Sequence, residues 1–381
     1  MNNYKIVFNK PYFTDKEIFY ISQVLKKKKV CGDGLFTNKC SKLIEERYNV
    51  KKVLITTSCS HALDMAAILF DIKNGDEIIL PSFSFTSLAN SFVLRNAKLR
   101  FADIRGDTLN LDEDQIENMI NEKTKAIAVI HYAGTACNMK KIMKIAKKHN
   151  LFILEDAAHA IESKYLNDYC GTIGNLGAFS FHETKNATCG EGGALLINDE
   201  RFIERAEFIR EKGTNRNKFY RGEVDKYTWI DIGSSYLPSD ILSAILFAQL
   251  EKIEVITKKR INIWNYYHDS FKELEDKNLF RRPEVPKECI HNGHIYYIIL
   301  NNQATRENLM NYLKNKGILA VFHYLPLHLS PMGLKMGYKE GDLKVTERIS
   351  DCILRLPMYF ELTRNDQDFV IDSIKDCFQI K

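Results

Sequence analysis

Four short stretches of this chain gather residues whose types and spacing could do chemistry. Thr56-Thr57-Ser58-Cys59-Ser60-His61 follows the apolar run Val53-Leu54-Ile55 and opens a helical stripe over 62–69. A hydroxyl-rich turn at a helix N-terminus offers free backbone N–H groups and the positive end of the helix dipole, which suits a phosphate. Pro81-Ser82-Phe83-Ser84-Phe85-Thr86 follows the run 77–80 and offers an aromatic face in Phe85. Glu155-Asp156-Ala157-Ala158-His159 puts a carboxylate, Asp156, at the mouth of the apolar run 151–154. Finally, Ser180-Phe181-His182-Glu183-Thr184-Lys185-Asn186 carries a single lysine, followed by Gly190-Glu191-Gly192-Gly193. Taken singly, each stretch has an ordinary structural reading as a cap, a core ring, a turn residue or a surface lysine. Taken together, they supply what pyridoxal 5′-phosphate chemistry needs: a phosphate cradle, an aromatic plate, an acid to keep the pyridine nitrogen protonated and a lysine to hold the cofactor. The chain lacks the Gly-x-Gly-x-x-Gly of a dinucleotide fold after a strand, the Gly-x-x-x-x-Gly-Lys-Ser/Thr of a P-loop and the His-Glu-x-x-His of a zinc hydrolase. The residues alone point to a cofactor-dependent α/β enzyme.

The elements that must position these residues are legible as alternation. Apolar runs at 53–55, 77–80, 126–130 and 151–154 alternate with helical patterns at 62–69, 86–94 and 139–146. This implies βαβ units and a mostly parallel sheet, with ligands outside the carboxyl ends of the strands. Thr14-Asp15-Lys16-Glu17 has capping-box spacing ahead of a helix with Ile18, Ile21, Val24 and Leu25 on one face. The stretch 239–274 has helical periodicity with no internal Gly or Pro and reads as one connecting helix. Beyond it, strands are expected at 294–300 and 319–322 and helices at 306–316, 345–355 and 366–377. The expected division is a large cofactor-binding domain at 14–255 and a small α+β domain at 256–381 joined by the N-terminal residues 1–13.

Composition narrows the class further. The 381 residues are 45% hydrophobic and 27% charged, with a net charge of only +5, so nucleic acid and membrane surfaces are not expected partners. The basic run Lys26-Lys27-Lys28-Lys29 reads as a solvated helix end. Nine scattered cysteines show no metal-ligand spacing, so no metal is expected. No apolar run approaches a membrane span and no secretory leader is recognisable, so the expected location is the cytoplasm.

The motifs Ser58-Cys59-Ser60-His61-Ala62-Leu63, Glu155-Asp156-Ala157-Ala158-His159-Ala160, Ser180 to Asn186 and Gly190 to Gly193 resemble, in order, those of the sugar-nucleotide aminotransferases of the fold-type-I pyridoxal-phosphate superfamily. The likeness runs from about residue 7 to the C-terminus. Within that family, Cys31-Gly32-Asp33-Gly34, His131-Tyr132-Ala133-Gly134, residues 211–236 and Val321-Phe322-His323-Tyr324-Leu325-Pro326-Leu327-His328 are most similar to the branch that moves the amino group of L-glutamate to C4 of dTDP-4-keto-6-deoxy-D-glucose, giving the galacto product used in bacterial surface polysaccharide.

The resemblance implies pyridoxal 5′-phosphate, cycling through pyridoxamine 5′-phosphate, and a homodimer with shared active sites. It makes Lys185 the Schiff-base lysine and general base, Asp156 the partner of the pyridine nitrogen and Phe85 the stacking ring. The Ser58-Cys59-Ser60 turn, through the Cys59 and Ser60 amides, would take the phosphate with Ser180, while His159 would lie near the phenolic oxygen. Ser235 stands where many relatives place an asparagine that reaches the neighbouring subunit's phosphate. A substrate diphosphate needs basic and polar groups, for which Arg216, Arg221, His323 and His328 are the candidates. Cys59 stands where the family often has Gly. The related sugar dehydratases carry His in place of the lysine, so Lys185 argues against that activity. A catalytically silent binding or regulatory protein on the same scaffold would have no need of Lys185, Asp156 and Phe85 together.

Overall fold

Alternating apolar runs and helical stripes become a twisted central sheet with helices on both faces. The structure, a computed structural model, describes residues 4–380. Residues 1–3 of the expected N-terminal arm and Lys381 lie outside the described residues. The first part of the chain runs α1 (Lys16–Lys27), α2 (Leu35–Tyr48), β1 (Lys52–Thr56), α3 (Cys59–Leu69), β2 (Glu77–Pro81), α4 (Thr86–Val93), β3 (Lys98–Ala102), α5 (Glu113–Met119), β4 (Thr124–Ile130), α6 (Met139–His149) and β5 (Phe152–Asp156). A small hairpin, β6 (Lys164–Tyr165) and β7 (Asp168–Tyr169), leads into β8 (Leu176–Ser180), β9 (Gly193–Ile197), α7 (Ile203–Arg210) and α8 (Arg216–Tyr220). Next come α9 (Asp240–Leu250), α10 (Ile253–Ser270), α11 (Lys272–Asp276), β10 (Phe280–Arg281), β11 (Cys289–Ile290) and β12 (Tyr296–Leu300). The last elements are α12 (Gln303–Asn315), α13 (Pro331–Lys335), α14 (Lys344–Cys352), β13 (Ile353–Leu356) and α15 (Arg364–Cys377).

The seven-stranded sheet has the order β1-β9-β8-β5-β4-β2-β3. β9 runs antiparallel to both neighbours, and the remaining pairs are parallel, which is the mostly parallel α/β sheet the alternation implies. Its strands read as continuous apolar runs because both faces are covered. Val53, Ile55, Ile79, Ile127 and Val129 face α2, α6 and α9. Leu54, Ile78, Leu80, Ala126 and Ala128 face α3, α4 and α7. Each fully buried aliphatic side chain contributes roughly 1.5–3 kcal/mol, so these two layers hold the strand ends in a fixed array.

A second sheet, β10-β12-β13, packs with α10, α12 and α15 around Trp264, Tyr267, Leu309, Leu313, Val370 and Ile374. A smaller apolar cluster, including Phe83, Ile104, Tyr132, Tyr297, Ile349 and Ile353, joins this part to the carboxyl edge of the large sheet.

Four local expectations are corrected. The periodic stretch 239–274 is three helices, broken at Glu251 and Lys252 and again at Phe271, without Gly or Pro. Its two halves serve different cores: Leu246 and Leu250 belong with the large sheet, Ile263, Trp264 and Tyr267 with the second. Residues 319–322 form no strand but a single bridge between Val321 and Arg355. The helix expected over 345–355 ends at Cys352, because 353–356 are taken into β13 against β12. At the first helix, Glu17 does accept the Thr14 backbone N–H and hydroxyl, yet of the expected face Val24 is buried while Ile18 and Leu25 are exposed.

Candidate active site

The carboxyl ends of β1, β2, β5 and β8 converge, and the four stretches singled out in the sequence follow them. Past β1, Ser58 is the N-cap of α3 and its side chain accepts the His61 N–H (3.1 Å). Cys59 and Ser60, the first two helical residues, therefore present N–H groups that no preceding carbonyl in the helix can satisfy. Cys59 replaces the family's usual glycine without strain: it opens the helix and is not among the residues with positive φ. The Ser60 hydroxyl lies 2.6 Å from that of Ser87 on α4, adding polar groups to the cradle.

Gly193 explains the glycine-rich stretch. It pairs with Thr56 on one side and Ser180 on the other. A Cβ there would sit 2.3 Å from the Cys59 nitrogen and the Ser58 carbonyl carbon. Only glycine lets β9 pass this close to the turn.

Asp156 ends β5 and is buried, with its carboxylate accepting the Ala158 N–H (3.0 Å). Burial raises its pKa, opposed by that hydrogen bond and by the charges of Lys185 and His131. Lys185 sits in the β8–β9 connection, where its N–H donates to the His182 carbonyl (2.9 Å) and Glu183 N–H to the Gly190 carbonyl (2.9 Å). Burial pushes the Lys185 amine down to about 8, with Asp156 and Cys59 pulling upward and Arg355 adding to the fall. An amine so placed can give and take a proton near neutral pH. Burial, followed by the charge of Asp156, raises the Cys59 thiol well above its ordinary range, so this cysteine is an inert wall.

His159, also buried, lies 3.3 Å through Nε2 from the Tyr324 hydroxyl, while its Nδ1 has no partner. Burial, then Lys185 and Arg355, keeps its pKa well below the usual histidine value. Phe85 is 58% exposed and faces Tyr324 at 6.4 Å. Its ring is thus open to a flat ligand. Free helix N–H groups, a buried acid, a lysine of lowered pKa, an open ring and the orphan Nδ1 of His159 together fit pyridoxal 5′-phosphate.

Of the other expected site residues, His323 joins this cluster: its Nδ1 is 2.6 Å from the Tyr132 hydroxyl and its ring stacks on Tyr324 at 3.8 Å. Arg216, Arg221 and Ser235 do not. They line a separate cavity of about 890 Å³ with Lys29, Asp33 and Arg210, and neither Lys185, Asp156 nor Phe85 lines it. There Arg216 pairs with Glu211, and Arg221 with Glu207 and Glu223. His328 is corrected: it has no exposed surface and both ring nitrogens are engaged, by Ser82 and Glu347, so its ring is closed to a substrate.

Sequence reasoning overlooks Tyr324 and Arg355. Tyr324 stands in a stretch already marked by the resemblance. Arg355 carries a signal of its own, a lone cation inside the apolar run Ile353-Leu354-Arg355-Leu356.

Comparison with known proteins agrees with this arrangement. Residues 11–375 match the DegT/DnrJ/EryC1/StrS aminotransferase family. The chain is similar to the spore coat polysaccharide biosynthesis protein SpsC of Bacillus subtilis, 31% identical over 86% of this chain and 85% of that protein. It is also similar to the GDP-perosamine synthase of Escherichia coli O157:H7, 29% identical over 97% and 98% of the two chains. Among solved structures, Helicobacter pylori PseC, an aminotransferase involved in the biosynthesis of pseudoaminic acid, superposes with a TM-score of 0.90 at 26% identity, over 98% of this chain and 99% of that one. The chain therefore belongs to the DegT/DnrJ/EryC1/StrS aminotransferase family and is a sugar aminotransferase that works with pyridoxal 5′-phosphate.

Proposed function

We propose that this enzyme transfers the amino group of L-glutamate to C4 of dTDP-4-keto-6-deoxy-D-glucose, giving dTDP-4-amino-4,6-dideoxy-D-galactose for surface polysaccharide. The observation that carries the transfer itself is Lys185, an amine held near pH 8 and within the field of Asp156. The choice of sugar rests on the likeness of 211–236, His131-Tyr132-Ala133-Gly134 and the 321–328 stretch to the branch that makes this product.

The bound cofactor supplies an electron sink for the carbon that loses its proton. The chain's own residues do the rest. The Cys59 and Ser60 amides, with Ser58 and Ser180, hold the phosphate. Asp156 keeps the ring nitrogen protonated through a charge-assisted hydrogen bond. Phe85 would stack on the cofactor ring, and His159, kept neutral, would lie near its phenolic oxygen. Lys185 Nζ holds the cofactor, then removes the α-proton of glutamate and returns a proton when the keto sugar takes the amine.

The working unit is a homodimer in which residues 213–235 of one subunit complete the partner's site. Support comes from exposed Tyr220, Tyr227, Trp229, Ile230 and Ile232 in this segment, apolar groups that lack a core within one subunit. Arg216 and Arg221 would then face the sugar diphosphate and Ser235 the partner's cofactor phosphate, with His323 nearer the cofactor. We keep the division into a cofactor domain at 14–255 and a small domain at 256–381 with residues 1–13. The location we propose is the cytoplasm. All nine cysteines are free thiols in the structure, and among the described residues no helix is long and apolar enough to cross a membrane.

A second reading, another nucleotide keto sugar as acceptor, is favoured by the likeness to a protein named GDP-perosamine synthase. The experiment loads the enzyme with amine from L-glutamate and then supplies dTDP- and GDP-linked 4-keto sugars separately. Turnover only with the dTDP sugar, and NMR showing an axial C4 amine, is expected. Preference for the GDP sugar, or an equatorial amine, would replace the reading with its alternative.

A further inference from the structure

Beside the site lies a buried chain of side chains that the reaction above does not use. Ser82 directly follows β2 and His328 lies in the turn Leu327–Leu329; neither has exposed surface. The Leu327 N–H donates to the Ser82 carbonyl (3.1 Å) and the His328 N–H to Ser82 Oγ (3.1 Å). Ser82 Oγ is 2.7 Å from His328 Nδ1, and His328 Nε2 is 3.0 Å from Glu347 Oε1. Burial alone would raise the Glu347 carboxyl, but hydrogen bonds from His328 and from the Gly341 and Leu343 amides hold it below the usual range. An ionised carboxylate only accepts, so Nε2 carries the ring hydrogen, and in the neutral ring Nδ1 accepts from the serine hydroxyl.

A serine, a histidine and an acid in a row suggest a nucleophile, but the geometry excludes one. Ser82 is sealed from solvent, and its oxygen already receives the His328 amide hydrogen. What the chain does join is the two segments that form the aromatic wall of the site. Phe83 and Phe85 stand one and three residues after Ser82; His323 and Tyr324 stand five and four residues before His328. Phe83 packs on Tyr132 (5.2 Å) and Tyr324 (5.5 Å), and Phe85 faces Tyr324.

The turn is held from behind as well. A Cβ on Gly333 would lie 2.3 Å from the Leu327 and His328 carbonyl oxygens, so α13 presses directly on it. Glu347 belongs to α14, whose Val345 and Thr346 N–H groups donate to Asp103, the residue after β3 (3.0 and 2.8 Å).

We propose that Ser82, His328 and Glu347 are positioning residues that lock the 322–327 segment against 82–85 and so fix the orientation of Phe85, which would cover the cofactor, and of the Tyr324 ring it faces. The inference rests on the reading of Phe85 as the ring that covers the cofactor. The test uses the holoenzyme and the variants Ser82→Ala, Ser82→Thr, Glu347→Gln and Phe85→Leu. Cofactor content, unfolding midpoint, visible-band circular dichroism and steady-state constants are measured for each. The circular dichroism reports how the bound ring is oriented, which a purely stabilising contact would leave alone.

Ser82→Ala should keep its cofactor but change the visible ellipticity by half or more and lower kcat about tenfold, with KM for glutamate within about twofold, the effect expected of a small misorientation. Ser82→Thr, which restores the hydroxyl, should recover both to within about twofold. Glu347→Gln should show the same changes to a smaller extent, and it decides the matter where Ser82→Ala does not fold. If Phe85→Leu alters the dichroism while Ser82→Ala and Glu347→Gln change only the unfolding midpoint, the positioning role is overturned and the reading of Phe85 stands. If Phe85→Leu leaves the dichroism unchanged, the covering role of Phe85 falls and the proposal falls with it.

Discussion

Lys185 meets two demands that conflict in water: it must hold a cofactor covalently and pass protons near neutral pH. Burial resolves the conflict by bringing the amine down to about 8. The purified holoenzyme should therefore be yellow, and borohydride should fix the cofactor on Lys185; label recovered on another lysine would sink the assignment. Lys185→Ala should lose turnover on the order of 10³-fold or more, since no neighbour can do both tasks.

The same burial has a signature in stability. Below pH 8 the amine of the cofactor-free protein is charged in both folded and unfolded states, and the folded state bears the whole penalty, on the order of 3 kcal/mol. Above its ordinary value of 10.5 the amine is neutral in both states and the penalty is gone. Cofactor-free Lys185→Met should thus be more stable than the parent at pH 7, with the gain fading as the pH rises from 8 to 10.5. Urea unfolding at a series of pH values reads this directly, and an equal gain at both ends would contradict it. Asp156→Asn separates charge from shape. It should retain cofactor yet lose roughly 100-fold in kcat, as when one preorganised electrostatic partner is removed; near-normal kcat would count against the role.

At the scale of elements, the strands that carry site residues differ in how plainly the sequence shows them. β2, β4 and β5 stand out as apolar runs between helical stripes, so the amino-acid pattern alone suffices to put Asp156 at a strand end and Phe85 in the turn that follows one. β8, Leu-Gly-Ala-Phe-Ser, has no β-branched residue and shows no clear period. Lys185 is therefore recognisable by its motif and not by its element. The break between α9 and α10 has no local signal, because which core each half joins is decided by packing far away in sequence. The hydrogen bonds between Tyr324 and His159 and from the His328 N–H to Ser82 likewise span 165 and 246 residues, separations that periodicity cannot read. Gly193 shows the opposite case, a residue whose type is plain in the sequence while its reason is not. Gly193→Ala would force β9 away from the α3 N-terminus, so cofactor affinity should fall at least about tenfold, with a stability loss of roughly 1–3 kcal/mol. Unchanged affinity in equilibrium dialysis would show that the cradle tolerates the side chain.

The whole molecule presents a cavity rich in basic groups, which Lys185, Asp156 and Phe85 do not line, and a separate cofactor site. Arg216, Arg221 and Ser235 lie at the first of these, Lys185 and Asp156 at the second. A two-fold dimer reconciles the two if each subunit lends residues 213–235 to the other's site. The alternative, a segment that only covers its own subunit, makes the opposite genetic prediction. Subunits carrying Lys185→Ala are mixed and exchanged with subunits carrying a disabling change at Arg216 or Ser235, each parent being inactive alone. Under the shared-site arrangement a mixed dimer contains one site with both halves intact and one with both halves broken. A one-to-one mixture at equilibrium should then recover roughly a quarter of the normal activity, because half of the dimers are mixed and half of their sites work. Subunit exchange proven by mass-tagged chains, together with no recovery, would rule the arrangement out and return Arg216 and Ser235 to the surface of a self-contained subunit.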